Sequence, residues 1–302
     1  MNKIPFHKPL DIPFSKKELS GILSNGKYCR KLEKQIKELY DVEHVITTSS
    51  CSIALLITLQ IVEKKYALGY MATPSFGWFS TKWAIDTIKS LDTLFVDIER
   101  DTWLMSDTSY WNTLPIHTFG SIYKDPYSEN KIYDGAHALG SKITDFGIAT
   151  VMSLAPTKII TSCEGGLILT NDHDLAKDII FLRDKISRMS EINAIWGLET
   201  LLYLEEVMNW KKKCYYYYKR YLSGYGTFQE IPNDSNFNTI GFLTDFKMPE
   251  QIDFRKYYFP LKKGFPNTNY VYGKMVCLPS WFGVDYEYIT NRIIERNEVI
   301  RE

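Results

Sequence analysis

Residues 133–140 read YDGAHALG, residues 153–158 read SLAPTK, and residues 163–166 read CEGG. A short apolar run, Lys131-Ile132-Tyr133, delivers Asp134 at what reads as a strand end, and His137 follows three residues later. Ser153 and Lys158 stand five apart, just ahead of the glycine pair Gly165-Gly166. Lys158 is held between Pro156-Thr157 and Ile159-Ile160, an otherwise apolar setting. Lysine is rarely buried unless it is used, and desolvation makes its amine a better nucleophile. Each residue has an ordinary reading: Asp134 as a turn or cap residue, His137 as a packed histidine, Lys158 as an exposed loop lysine. Their order is what needs explaining.

Outward from this segment, the chain up to about residue 190 alternates β-rich runs with helical patterns, the rhythm of an α/β sheet. Strands are expected at His44–Thr48, Tyr70–Ala72, Thr93–Asp97, Ile116–Phe119, Lys131–Asp134, Thr150–Leu154 and Gly166–Thr170. Helices are expected at Ser15–Leu23, Leu32–Leu39, Ile53–Lys64, Phe79–Ile88 and Asp174–Lys185, the last behind an Asn171-Asp172 cap signal. A long amphipathic pattern over Met189–Leu222 reads as one helix that leads out of the large part. The expected architecture is therefore a mostly parallel mixed sheet flanked by helices in residues 1–190, with a smaller α+β part in residues 191–302. With no Pro/Gly/Ser-rich linker, the two should pack as one unit.

Composition narrows the function classes. Lys+Arg and Asp+Glu both number 36, so no net field draws in nucleic acid or an anionic membrane. No stretch approaches the roughly 20 apolar residues of a membrane span, and MNKIPFHKPL has no apolar leader core. A cytoplasmic protein without nucleic-acid or membrane partners is expected. The five cysteines show no CxxC pair and no histidines at ligand spacing, so no metal site is expected.

An acid, a histidine, a hydroxyl and a lysine in this order suit pyridoxal 5'-phosphate. That cofactor needs an amine for a Schiff base, an anion for its pyridine nitrogen, and donors for its phosphate. Thr47-Thr48-Ser49-Ser50-Cys51-Ser52, between a strand and a helix, offers hydroxyls and free amides as a phosphate seat. It is equally a good capping segment, and it lacks the glycines of a P-loop or a dinucleotide fingerprint. Trp78, in PSFGWFST, suits a lid on a flat ring or a core aromatic.

Taken together, these residues resemble the DegT/DnrJ/EryC1/StrS family of nucleotide-sugar aminotransferases, which have the aspartate-aminotransferase fold (fold type I). The resemblance runs in order through IPFHKPL, TTSSCSIALLITL, ATPSFGWFSTKWAI, LFVDIERDTWLM, IHTFG, IYDGAHALG, SLAPTKIITSCEGGLILTND, SRMSEINAIWGLETL, KYYFPL and CLPSW. It implies Lys158 as the Schiff-base lysine, Asp134 as partner of the pyridinium, and His137 beside the ring hydroxyl. It also implies Ser52 and Ser153 at the phosphate, with Cys51 in the same turn, and Trp78 over the ring. The implied substrate is a nucleotide-linked keto-sugar, the amino donor glutamate, and the assembly a homodimer with shared active sites.

This chain departs from the family pattern in four places, one of them a short stretch between Asp101 and Pro115. Only ten residues separate Gly120 from Lys131, so the crossover is trimmed. Ile186 stands where the family often has an asparagine that reaches a neighbour's phosphate, and Cys51 where it often has glycine. Two alternatives stay open: a silent paralogue that binds sugar nucleotide or only oligomerises, and a sugar 3-dehydratase. Lys158 speaks against the dehydratase, whose relatives carry histidine at that position.

Overall fold

The computed structural model describes residues 3–10, 22–107 and 109–298. Its centre is a seven-stranded sheet in the order β1-β8-β7-β6-β5-β2-β4. The strands are β1 (His44–Thr48), β2 (Tyr70–Pro74), β4 (Asp92–Val96), β5 (Asn112–Thr113), β6 (Asn130–Asp134), β7 (Ala149–Ser153) and β8 (Gly166–Thr170). All run the same way except β8, which is antiparallel to both neighbours. The ends of β1, β6 and β7 and the start of β8 therefore meet at one edge of the sheet.

Alternation along the strands builds a core on each face. Val45, Met152, Leu167 and Leu169 pack with Leu32 and Ile36 of α1 (Lys27–Tyr40) and with Ala194 and Leu198 of α5 (Glu191–Leu201). Ile46, Ile132, Val151 and Ile168 face the other way, toward α2 (Cys51–Tyr66), α3 (Phe79–Asp86) and α4 (His173–Ile186). Each fully buried aliphatic side chain contributes about 1.5–3 kcal/mol. Glu191 joins the layers: its carboxylate accepts from the N–H groups of Gly26, Tyr28 and Cys29 and so caps α1, which has no capping side chain of its own. Asp172 caps α4 by accepting from Leu175 N–H at 2.9 Å, as the sequence leads one to expect.

Three expectations need comment. The Ser15–Leu23 helix lies, except for its last two residues, outside the described residues. The Ile116–Phe119 strand does not form. Pairing in that region is limited to β5 and to a single bridge from Ile116 to Asp134. Phe119 (φ 58°) and Gly120 (φ 98°) then turn the chain away through a short 3-10 turn. A Cβ on Gly120 would lie 2.0 Å from Asn236 Oδ1, so this turn requires glycine. Finally, Met189–Leu222 is two helices, α5 and α6 (Leu204–Leu222), divided at Leu202-Tyr203. α5 packs on α1; the start of α6 (Val207, with Leu204 and Met208) still joins that core, while Cys214, Tyr215 and Tyr218 further along pack over the C-terminal sheet. The break lets α6 leave the α1 layer and reach the second core.

That C-terminal sheet has three strands in the order β12 (Met275–Leu278), β10 (Ile240–Leu243) and β9 (Thr227–Phe228). Helices α7 (Pro266–Lys274) and α8 (Tyr286–Glu298) complete this part of the chain. Among the links that reach back to the large part, two bear on the edge where the strand ends meet. β11 (Phe259–Pro260) pairs with β3 (Phe76–Gly77), which lays KYYFPL beside PSFGWF. Asn236 donates from Nδ2 to His137 O and Leu139 O, both at 2.7 Å.

Burial gives the fold a pH signature. It pulls His7 from 6.5 down to about 4, His117 down to about 3, and His137 well below 6.5. These rings are neutral in the fold and protonate first in the unfolded chain. Their stabilisation is complete above 6.5 and is lost as the pH falls from there toward the folded values. Each contributes on the order of 1.4 kcal/mol per pH unit within that window. Carboxylates held low, such as Glu191 and Asp145, act only below their ordinary values of 4.5 and 3.8. The unfolding midpoint should therefore drop steeply between about pH 7 and about pH 5; an unchanged midpoint in urea titrations over that range would contradict it.

Candidate active site

A cavity of about 410 Å³ opens at the sheet edge where the strand ends meet. Cys51, Ser52, Trp78, Asp134, Ser153 and Lys158 all line it. Six of the seven residues singled out in the sequence are thus brought together from β1–α2, β3–α3, β6 and the β7–β8 connection.

The β1–α2 turn presents the start of a 16-residue helix. Ser50 caps it, with its side chain accepting from Ile53 N–H at 3.3 Å, so Cys51 and Ser52 occupy the first turn, where backbone N–H groups face outward. Gly166 packs beneath this turn; a Cβ there would stand 2.6 Å from Thr48 Oγ1 and 2.7 Å from Cys51 N. The turn is also held from the side. Arg183 donates to Thr47 O at 2.7 Å and lies 3.6 Å from Glu33, which accepts from Thr47 N–H and Oγ1–H. Ser187 bonds Ser49 through both backbone and hydroxyl, while Ile186 beside it is exposed. Ser153 closes the seat from β7; it is buried, and its hydroxyl oxygen accepts from Ala155 N–H.

Asp134 is 3% exposed. Its Oδ2 accepts from Thr81 Oγ1–H at 2.6 Å and its Oδ1 from Ala136 N–H at 3.0 Å. Burial raises its pKa, and these two bonds together with the Lys158 charge oppose the rise. A cationic N–H in the cavity would complete the pairing of this carboxylate. Lys158 lines the same cavity from the turn Ala155–Lys158, closed by its own N–H to Ala155 O. Its Nζ lies 3.4 Å from Tyr257 Oη.

His137 is placed differently. It is 2% exposed and does not line the cavity. Its ring stacks on Tyr258 (5.1 Å, 21°) and Phe119 (5.6 Å, 25°) and touches Tyr257. Tyr257 and Tyr258 line the cavity in front of it. Neither of its ring nitrogens has a hydrogen-bond partner among the described residues. Burial first, then the charges of Lys158 and Lys211, keep the ring neutral.

Sequence reasoning missed Thr157, Glu164, Arg255, Tyr257 and Tyr258 of the cavity wall. The last three precede or lie in KYYFPL, a stretch visible in the sequence but carrying no periodic signal for a site 100 residues away. Among the described residues, no cluster of His, Cys, Asp and Glu is arranged to hold a metal.

Residues 14–110 and 130–296 match the profile of the DegT/DnrJ/EryC1/StrS aminotransferase family. The chain belongs to that family. The unmatched stretch between them, 111–129, holds β5 and its connection to β6, which runs without a crossover helix. A dTDP-4-amino-4,6-dideoxy-D-glucose transaminase of Shigella dysenteriae is 24% identical over an alignment covering 95% of this chain and 94% of that protein. The fold is that of Helicobacter pylori PseC, an aminotransferase of pseudoaminic acid biosynthesis (TM-score 0.82, 18% identity, 93% and 94% of the two chains). It is also that of an E. coli GDP-4-keto-6-deoxy-D-mannose-3-dehydratase solved with hydrated PLP (TM-score 0.77, 15% identity, 90% and 92%).

The cofactor of this family is pyridoxal 5'-phosphate or its pyridoxamine form. The donor set fits it. A buried carboxylate with no ion pair among the described residues faces the cavity, an amine lines the same cavity, and a helix start with Ser52, together with Ser153 of β7, offers an anion seat.

The Arg183 network should matter to stability. Arg183→Met removes the bond to Thr47 O and leaves Glu33 without its cation, so urea unfolding should show a loss of about 2–4 kcal/mol. A variant as stable as the parent would show that the network does not hold the β1–α2 turn.

Proposed function

We propose that this chain is an aminotransferase that converts a nucleotide-linked keto-deoxysugar to the amino sugar, with glutamate as amino donor. The reading places it in the making of surface polysaccharide or secondary-metabolite sugars, in the cytoplasm; none of the described helices is long and apolar enough to cross a membrane. The observation that carries it is the meeting of Lys158 and Asp134 in one cavity at the sheet edge.

When bound, the cofactor supplies a carbonyl that exchanges for an amine and a ring that accepts electrons. The protein supplies the rest. Asp134, held by Thr81 and Ala136, would keep the pyridine nitrogen protonated. The α2 start at Cys51-Ser52, together with Ser153, would hold the phosphate, and Trp78 would border the ring. Lys158 Nζ would be the amine that takes the cofactor and, when free, the base that moves protons at the donor's Cα and at the sugar carbon that receives nitrogen. In this reading His137 serves the ring hydroxyl only if Tyr258 gives way.

We further propose a homodimer whose interface includes α4 and α5, where Phe181, Ile186, Ile192 and Leu202 are more than half exposed. The Ile186 side chain cannot donate to a phosphate, so in this reading either another residue of the partner replaces it or the anion is held within one chain by Ser52, Ser153 and backbone amides. The large and small parts are proposed as residues 1–190 and 191–302, although the shared core of α1 and α5 favours a boundary after Leu202.

A second reading, a chain that binds sugar nucleotide without turning it over, draws support from the sealed His137. Two experiments separate the readings. Borohydride reduction of the cofactor-loaded protein followed by peptide mapping should place the pyridoxyl mass on Lys158; label elsewhere with Lys158 clean would end the assignment. Asp134→Asn should keep part of its cofactor but lose at least ~100-fold in turnover, because a neutral amide does not hold the ring proton. Near-parental turnover would remove Asp134 from this role.

A further inference from the structure

Lys158 carries its amine on a flexible four-carbon stem, and holding such a stem in one place costs entropy. Among the described residues, the side chain bonded to Nζ is Tyr257, whose Oη lies 3.4 Å away. The same amine lies 5.3 Å from the centroid of the Tyr257 ring. The phenol is itself fixed: its Oη is 2.5 Å from Thr157 Oγ1, and either hydroxyl can be the donor. Its ring stacks on Trp78 at 5.6 Å and 26°. The β11–β3 pairing holds the two backbone segments that carry these rings side by side. Tyr257 is therefore clamped from three directions with its hydroxyl toward the amine.

We propose that Tyr257 and Thr157 form a two-hydroxyl relay that positions Lys158 Nζ in both of its protonation states. The proposal rests on Lys158 being the amine that takes the cofactor. A hydroxyl both donates and accepts. When Nζ is neutral, Tyr257 donates its O–H to the nitrogen lone pair and accepts the O–H of Thr157. When Nζ has gained a proton, it donates N–H to Tyr257 Oη, and the phenol turns its own proton to Thr157 Oγ1. No covalent bond changes at either hydroxyl; two O–H groups rotate, and the amine stays in place. An amine that alternately attacks a carbonyl and carries a proton is thus never left unbonded or free to swing. Tyr257 and Thr157 are positioning residues in this scheme, acting on the reaction through Lys158.

The probe is pyridoxal 5'-phosphate added to the full-length protein stripped of cofactor. Timed borohydride quenching and the mass of the Lys158 peptide give both the rate and the final level of attachment. Tyr257→Phe keeps the stack on Trp78 and removes only the hydroxyl, so it should reach the parental level roughly tenfold more slowly. Thr157→Val should be slowed by less, and the double variant should match Tyr257→Phe, because the two hydroxyls act as one unit. Parental rates in Tyr257→Phe would overturn the relay. A double variant slowed by the product of the two single effects would overturn it too. So would a reduced final level at an unchanged rate, the mark of a merely structural role. If the parent itself places no cofactor on Lys158, the aminotransferase reading falls first and takes the relay with it. A parent that loads beside variants that load equally fast removes the relay alone.

Discussion

The site depends on strand register. β8 runs against β1 and β7, and both ladders bring the same residue, Gly166, level with Thr48 on one side and Ser153 on the other. Across the next ladder Asp134 pairs with Val151, two residues back from Ser153. That row sets a helix start, a serine and a carboxylate along one edge of the sheet. A one-residue slip would turn each side chain to the opposite face. Glycine at the shared position also lets the β1–α2 turn settle onto β8, where a methyl group would meet backbone. The apolar alternation that packs both faces of the sheet is thus also what aligns the chemistry.

The C-terminal part reaches this edge through few but specific links. Asn236 bonds the carbonyls of His137 and Leu139 and fills the space left by the missing side chain of Gly120. The β11–β3 pair carries Tyr257 and Tyr258 to Lys158 and His137. Through these links the short turn after β5 and the packing of the small sheet both bear on the cavity wall, although neither holds a residue with obvious chemistry.

Much of this was legible in the sequence where one local pattern governs. Runs such as HVITT and GLILT are apolar because both faces are covered, and their limits follow directly. Asp134 and Ser153 stand out because polar groups interrupt such runs at strand ends, and Lys158 because it is a lysine in an apolar stretch. Other features depend on partners distant in the chain. Whether 116–119 forms a strand depends on a turn that Asn236 shapes, and the break at Leu202-Tyr203 on the path α6 must take between two cores. His137 was grouped with Asp134 by its spacing, but its surroundings come from Phe119, Tyr257 and Tyr258, and no spacing discloses those. The same holds for Tyr257, whose contact with Lys158 joins residues 99 positions apart.

The central claim is that Lys158 and Asp134 bind one flat cofactor between them. The visible absorption spectrum of the protein mixed with pyridoxal 5'-phosphate tests it most directly. The account predicts a yellow band that borohydride abolishes, that an amino donor bleaches, and that is absent from Lys158→Ala. A protein that stays colourless with the cofactor, or a Lys158→Ala variant as coloured as the parent, would contradict it.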